Sequence, residues 1–141
     1  MSRHTTRFLH LLTILAMTGG AAAAQEIDAD PEAGRAYFAS YCAACHGQDA
    51  AGNGPMAEIV AIRTPDLTGL AARSGGTFPV AEVAAQIDGR NPVLAHGGQM
   101  PLYGDFFDGE DVILQLPSGQ PMATSRPIAD LLAYLASIQG S

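Results

Sequence analysis

The sequence predicts a small all-α domain with a β-hairpin inserted before its last helix. Three segments place apolar residues at the spacing of an amphipathic helix, at 30–42, 79–88 and 126–139. Two short apolar runs, 112–116 and 121–124, flank a turn that contains a glycine, which is typical of a hairpin. A length of 141 residues leaves room for one ordinary domain and little else.

The first helix has a well-marked start. Asp30 can act as its N-cap, Pro31 fits the first helical position, and Glu32 supplies an acid in the first turn. We expect the helix to run to about Cys42, with Ala33, Tyr37, Phe38 and Tyr41 forming an apolar stripe.

The two later helices end at glycines, Gly89 and Gly140. Either Ser125 or Thr124 is expected to cap the last helix with its side chain. The acidic segment 105–111, in front of the hairpin, is expected to be exposed, and we assign it no function beyond surface elaboration or a docking role.

Residues 1–24 have the three parts of a secretory signal peptide: a positive start without acids, a short apolar run and an alanine-rich exit. The competing interpretation is an uncleaved membrane anchor, but the apolar run is about ten residues, and roughly twenty are needed to span a bilayer. We expect cleavage between Ala24 and Gln25. Residues 25–141 would then form one exported domain without a stable membrane anchor.

The charge of the chain is acidic and unusual in its composition. All seven basic residues are arginines, fourteen residues are acidic, and the formal net charge is −7. Two of the arginines fall within the predicted signal peptide, so the remaining domain is more acidic still. Such a chain repels nucleic acid and anionic membrane surfaces and is steered towards basic partners.

The strongest motif is the segment Cys42-Ala-Ala-Cys45-His46. Three alternatives compete for it: a disulfide, a thioredoxin-like redox pair and a zinc site. A disulfide leaves His46 unexplained, and no strand–helix–strand pattern surrounds the cysteines as a thioredoxin-like pair requires. A zinc site needs four ligands, and after the signal peptide only His96 could be the fourth.

The same spacing is that of c-type haem attachment. Residues three apart lie on one side of a helical turn, so Cys42 and Cys45 can each form a thioether with one vinyl group of a haem. The neutral imidazole of His46 then ligates the iron as the proximal ligand. The sequence therefore predicts one covalently bound haem c.

The segments around the motif resemble the class I cytochrome c family over about residues 30–139. Gly34 and Phe38 precede Cys42 by the offsets at which that family has a glycine and an aromatic residue. The resemblance implies that the first helix crosses closely over the last. It also implies a cytochrome c-like fold around one haem.

The resemblance extends to the proximal side of the haem. The segment from Thr64 to Gly69 is similar to the family's proline–x–leucine stretch, in which a proline carbonyl accepts a hydrogen bond from the proximal histidine. This implies that Pro65 holds the ring of His46, and Pro55 is the competing candidate. Such an acceptor fixes the tautomer and raises the basicity of the ligand.

On the distal side, Met100 followed by Pro101 in a glycine-rich loop resembles the family's methionine ligand. The resemblance implies His46/Met100 axial ligation, with Met122 and His96 as alternatives to Met100. A thioether ligand raises the reduction potential relative to two imidazoles. We place Arg90 first among the arginines that could neutralise the haem propionates, ahead of Arg63 and Arg73.

We therefore expect a periplasmic one-electron carrier rather than an enzyme, since nothing in the sequence resembles a general base or a nucleophile beside a substrate pocket. Besides the haem-attachment machinery, its partners should be redox proteins with basic or neutral docking faces, because the chain lacks the lysines through which many family members dock. Two alternatives remain: a haem subunit of a larger periplasmic oxidoreductase, and a gas sensor that would bind carbon monoxide rapidly when reduced.

Overall fold

A computed structural model describes residues 27–60, 63–89, 100, 103 and 106–140. Within these ranges the three predicted helices and the predicted hairpin occur in the expected order, and the structure adds a short helix at Leu70–Arg73 that the sequence did not predict. The elements are α1 (Pro31–Tyr37), a π-helical turn (Phe38–Cys42), α2 (Ala43–His46), α3 (Leu70–Arg73), α4 (Val80–Asp88), β1 (Asp111–Gln115), β2 (Pro121–Ser125) and α5 (Arg126–Ser137). None of the helices in the described part of the chain is long and apolar enough to cross a membrane.

The first helical stretch begins where the sequence predicts and ends later. The side chain of Asp30 accepts hydrogen bonds from the backbone N–H groups of Glu32 and Ala33, at 2.9 and 3.2 Å. The predicted end near Cys42 is four residues short, because a π-helical turn continues the helix to His46. The widened turn has no signature in the apolar spacing, and such turns are frequent at functional sites.

The predicted close crossing of α1 and α5 is confirmed. A Cβ atom on Gly34 would collide with the backbone of Asp130 and Leu131, so only glycine permits this approach. The carboxylate of Asp130 accepts a hydrogen bond from the backbone N–H of Asp30 at 2.9 Å. The buried ring of Phe38 packs on Tyr134 with centroids 5.3 Å apart. The start of α1 is therefore fixed against the first half of α5.

The predicted hairpin is also confirmed. Strands β1 and β2 pair in antiparallel register, with Ile113 opposite Ala123, and Gly119 adopts a φ of +78° in the turn. Leu114 and Thr124 are buried on the face that packs towards α5, and Ile113 is exposed on the other face. The hairpin is thus part of the hydrophobic core.

The predicted side-chain cap of α5 is wrong. Ser125 occupies the N-cap position, but it makes no capping hydrogen bond, and the hydroxyls of Thr124 and Ser125 are buried without a partner. The segment just before β1 supplies a backbone partner instead: the carbonyl of Glu110 accepts from the N–H of Arg126 at 2.8 Å.

Among the described residues of the acidic segment before the hairpin, one departs from the prediction; Asp105 lies outside the described part of the chain. Asp108, Glu110 and Asp111 are exposed, as expected. Phe107, however, is only 3% exposed, because its ring packs edge-on against Tyr37 at a centroid distance of 5.9 Å. Full exposure was therefore the wrong prediction for this segment.

Helix α4 agrees with the sequence prediction in both position and end. It buries Val80, Ala84 and Ile87, and it stops at Gly89, whose φ is +76°.

Candidate haem site

The attachment motif lies at the end of the first helical stretch, where the π-helical turn passes into α2. His46 is only 7% exposed, and both cysteines are half-buried free thiols. Burial, together with the charge of Cys45, raises the pKa of the Cys42 thiol to about 11. The Cys42 sulfur therefore lies in a partly desolvated setting.

The loop after the motif binds the end of its helix. The last carbonyls of a helix have no partner within the helix, and here the following loop supplies an N–H group for each carbonyl of residues 43–46. The donors are Gly47 to Ala43 (2.9 Å), Met56 to Ala44 (2.9 Å), Gly54 to Cys45 (3.0 Å) and Gly52 to His46 (2.8 Å). These bonds hold the backbone of the motif in one conformation.

The same loop brings Pro65 to His46. The backbone N–H of Leu67 donates to the carbonyl of Ala50 at 2.8 Å. Gly52 lies so close to the carbonyls of Thr64 and Pro65 that a Cβ there would contact both. The Pro65 carbonyl is then 3.1 Å from His46 Nδ1.

A carbonyl oxygen can only accept, so Nδ1 carries the proton and Nε2 is the nitrogen left to bind a metal. Burial lowers the pKa of His46, and the hydrogen bond to Pro65 opposes that shift. Both the tautomer and the neutral state are those that a ligating imidazole requires. Iron ligation by His46 itself stays a prediction.

Met100 lies beside α4 and packs, partly buried, against the hydrophobic core. The side-chain amide of Gln86 approaches its sulfur at 3.8 Å. Met56 is 42% exposed in the loop after the motif, and Met122 lies partly buried on β2. Of these three methionines, Met100 combines partial burial with a place in the predicted distal loop.

Tyr103 connects that loop to the motif. Its backbone N–H donates to the carbonyl of Ile87 at the end of α4, at 3.0 Å. Its hydroxyl donates to the carbonyl of Tyr41, the residue before Cys42, at 3.1 Å. Burial raises the pKa of Tyr103, and the charges of Cys42 and Cys45 raise it further. Tyr103 therefore lies between the Met100 segment and the cysteines.

The sequence did not single out Tyr103 or Gln86. Tyr103 follows Met100 by only three residues, and an aromatic residue in the distal loop was the signal available. Gln86 looked like an ordinary polar position of α4. Their roles depend on contacts between segments that apolar spacing does not report.

Several predicted residues lie outside the described part of the chain. They are Arg90, His96, Pro101 and the predicted signal peptide, residues 1–24. Of the other two arginines, Arg63 is exposed, and Arg73 donates to the carbonyl of Asp66 within its own segment. Pro55 is exposed in the loop, and the carbonyl at His46 Nδ1 is that of Pro65.

The residues present fit a covalently attached haem. Two thiols three residues apart precede an imidazole with its tautomer fixed, and a thioether lies in a separate loop beside the core. Imidazole and methionine sulfur are the axial donors of electron-carrying haems. Among the described residues, no three His, Cys, Asp or Glu side chains are grouped to hold a metal ion, and His96, the fourth ligand that a zinc site would need, lies outside them.

A small helical domain that carries this motif is typical of the monohaem cytochromes c. The family model described as cytochrome c oxidase, cbb3-type, subunit III, matches residues 29–113, more than half of the chain, so the chain belongs to this family of class I-like cytochrome c domains. Haem-based electron transfer is the general function of such domains. No curated protein and no solved structure shows significant similarity to the chain.

Proposed function

We propose that this protein is an exported one-electron carrier with one haem c bound through Cys42 and Cys45 and ligated by His46 and Met100. The observation that carries the proposal is the 3.1 Å contact between His46 Nδ1 and the Pro65 carbonyl. A buried imidazole fixed in this way, directly after two free thiols, is prepared to bind iron through Nε2.

When bound, the haem supplies an iron couple that takes up and releases one electron between the ferric and ferrous states. Cys42 and Cys45 hold the porphyrin to the helix, so it is not lost on reduction or oxidation. The hydrogen bond from His46 to Pro65 makes the imidazole a stronger donor. The loop bonds at the end of α2 keep this ligand in place, since they fix the backbone that carries it.

Met100 is the proposed second axial ligand. Met100 packs partly buried against the core, and the side-chain amide of Gln86 lies 3.8 Å from its sulfur. A thioether favours the reduced iron and so raises the potential. Arg90 is proposed to neutralise the negative charge of a haem propionate. The ferric iron would then be less stabilised relative to the ferrous iron, which would raise the reduction potential further.

Substitution of Met100 tests the ligand set. The Met100→Ala variant is expected to keep its covalent haem but to become five-coordinate or to take another ligand, with a lower midpoint potential. Met56→Ala, at an exposed methionine, is the matched control and should leave the spectrum and potential unchanged. Optical spectra and a redox titration of both variants would contradict the assignment if Met100→Ala behaved like the control.

A second candidate function is favoured by the family match. The matching family is described as a subunit of an oxidase, so the chain could serve as the haem subunit of a larger oxidoreductase. Purification of the tagged protein from detergent-solubilised whole cells, which retain both membrane-bound and unbound proteins, distinguishes the two. Recovery of a stoichiometric complex with other redox subunits supports the subunit, and recovery of the single chain supports the free carrier.

Export to the periplasm is part of the proposal, with residues 1–24 removed and residues 25–141 forming the domain. Covalent attachment of the haem would then follow transport, with help from attachment machinery outside the cytoplasm. Mass spectrometry of the purified protein provides the test. A mature N-terminus at Gln25 is expected, and a retained Met1 would contradict cleavage.

A further inference from the structure

Four aromatic side chains form one cluster beside the attachment motif. Tyr41 is at its centre, with ring centroids 5.0 Å from Phe106, 5.4 Å from Phe107 and 6.5 Å from Tyr103. Of the six ring pairs in the cluster, four meet edge to face, a geometry that aromatic rings prefer, and two are tilted. Phe107 is buried beneath the others and fixes their position.

The outer part of this cluster is exposed to solvent. Phe106 is 63% exposed and Tyr41 is 38% exposed, while Tyr103 is partly buried between them and the motif. We call these three side chains the aromatic face. Single exposed apolar residues are common on proteins, but adjoining exposed rings mark an interaction site more often.

The aromatic face adjoins the residues that would carry the haem. Tyr41 directly precedes Cys42 in the chain, and the Tyr103 hydroxyl donates to the carbonyl of Tyr41 at 3.1 Å. A partner bound on this face would therefore be close to the thioether at Cys42. Short distance between redox centres is what electron transfer needs from a docked complex.

The segment after Phe106 carries three exposed acids, and the first of them, Asp108, lies beside this face. Asp108, Glu110 and Asp111 are exposed, and Asp108 follows Phe106 by two residues, so their Cα atoms are at most about 7 Å apart. Arg126 adjoins the segment through its backbone, but its guanidinium is directed to the carbonyl of Asp28 at 3.4 Å. We call the three acids the acidic rim.

We propose that the aromatic face and the acidic rim together form the docking surface for a redox protein whose own face is apolar at its centre and ringed by lysine or arginine. This inference rests on the proposed electron-carrier function and adds to it the chemistry of the partner's docking face. Aromatic residues are enriched in the centres of interfaces, and complementary charge at the rim speeds and orients association. One electron passes between the two redox centres: the donor centre is oxidised by one electron and the acceptor reduced by one, and no bond is made or broken.

The test measures binding of the haem-loaded protein to a basic, lysine-ringed c-type cytochrome as the probe. Calorimetric titrations are run at about 0.01 M and 0.15 M ionic strength, where the screening length is roughly 30 and 8 Å. The wild-type complex should be tighter at the lower ionic strength. Failure of the wild-type protein to bind the probe at 0.01 M would overturn the proposal.

Two pairs of variants separate the aromatic face from the rim. Phe106→Ala should weaken binding about fivefold or more at both ionic strengths, whereas Phe106→Tyr, which keeps the ring, should bind like the wild type. Because Phe106 is largely exposed, neither change disturbs the core. Equal affinities of the alanine variant and the wild type would overturn the role of the aromatic face.

The rim is tested with one charge change at two places. Asp108→Asn, at the acid beside Phe106, should weaken binding about two- to fivefold at 0.01 M and by less at 0.15 M. Glu82→Gln is the control, because it removes the same charge at a distant place. Glu82 lies beside the hairpin tip at Leu116–Ser118, which is about 17 Å along the strand from Asp111. This variant should bind the probe like the wild type. Equal weakening by both variants would mean unspecific attraction and would overturn the rim.

The midpoint potential of each variant distinguishes failure of the docking surface from failure of the electron-carrier function. Unchanged potentials with altered binding assign the effect to docking. An intact one-electron couple with unchanged binding in every variant would overturn the docking surface alone. Absence of the couple in the wild-type protein would overturn the electron-carrier function on which it rests.

Discussion

A backbone atom orients the ring of His46. Substitutions near this ring should therefore change the midpoint potential only where they move the backbone. The acceptor at Nδ1 is the carbonyl of Pro65, which any residue at that position retains. Pro65→Ala should therefore change the midpoint potential little. Gly52→Ala should act more strongly, because Gly52 has a φ of +80° and a Cβ there would press on the carbonyls of Thr64 and Pro65.

We expect Gly52→Ala to lower the free energy of unfolding by about 1–3 kcal/mol and to shift the midpoint potential, because the Pro65 carbonyl is displaced from His46. Denaturant titration and a redox titration of the same sample measure both quantities. A larger shift in Pro65→Ala than in Gly52→Ala would contradict the proposed route from the loop to the ligand.

Gly34 offers a test of the helix crossing in which two effects have opposite sign. Replacing a helical glycine by alanine should stabilise α1 by roughly 1 kcal/mol through helix propensity. The added Cβ would, however, strike the backbone of Asp130, and overpacking of this kind costs about 1–3 kcal/mol or more. We therefore expect Gly34→Ala to be destabilising.

The matched control for this crossing is Ala36→Gly, on an exposed position of the same helix, which should be destabilised by about 1 kcal/mol from propensity alone. Equilibrium unfolding in denaturant gives both values. A Gly34→Ala variant more stable than the wild type would show that α1 and α5 do not approach as closely as described.

At the scale of elements, the hairpin can be tested as part of the core. Leu114 is 4% exposed and Ile113, its neighbour on the opposite face, is 61% exposed. Leu114→Ala should therefore lower the free energy of unfolding by about 2–5 kcal/mol, and Ile113→Ala by no more than about 0.5 kcal/mol. Similar losses in denaturant titrations of the two variants would mean that the hairpin does not pack on α5.

Elements with local signals were predicted correctly. Asp30 and Pro31 mark the start of α1, Gly89 marks the end of α4, and the turn at Gly119 joins two apolar runs. Each depends on residues close together in the chain, so single-sequence patterns contain them. The predicted side-chain cap of α5 was wrong because the N–H of Arg126 donates instead to the carbonyl of Glu110, in the segment just before β1, which local sequence patterns do not report.

At the scale of the whole molecule, the motif was evident from the sequence but its surroundings were only partly so. Pro65 was placed next to His46 by family resemblance, and spacing alone would not have chosen it over Pro55. Tyr103 and the buried Phe107 were missed, since their positions result from packing between distant segments. Nonlocal contacts of this kind have no periodicity for a sequence pattern to show.

The acidity of the chain has a consequence for the whole molecule that one rate measurement can show. With a net charge of −7 and no lysine, electron exchange with a basic redox protein should slow as salt is added, and exchange with an acidic one should become faster. Stopped-flow rates across an ionic-strength series measure this. A rate with the basic protein that rises with salt would contradict the predicted partner charge.

The central claim is that Cys42, Cys45 and His46 hold a haem that carries single electrons. A redox titration of the purified, exported protein, followed by optical spectra, tests it most directly. We predict one covalently retained haem and one reversible transition whose potential changes by about 59 mV for each tenfold change in the ratio of oxidised to reduced protein. A protein without bound haem, or with no reversible one-electron transition, would contradict the claim.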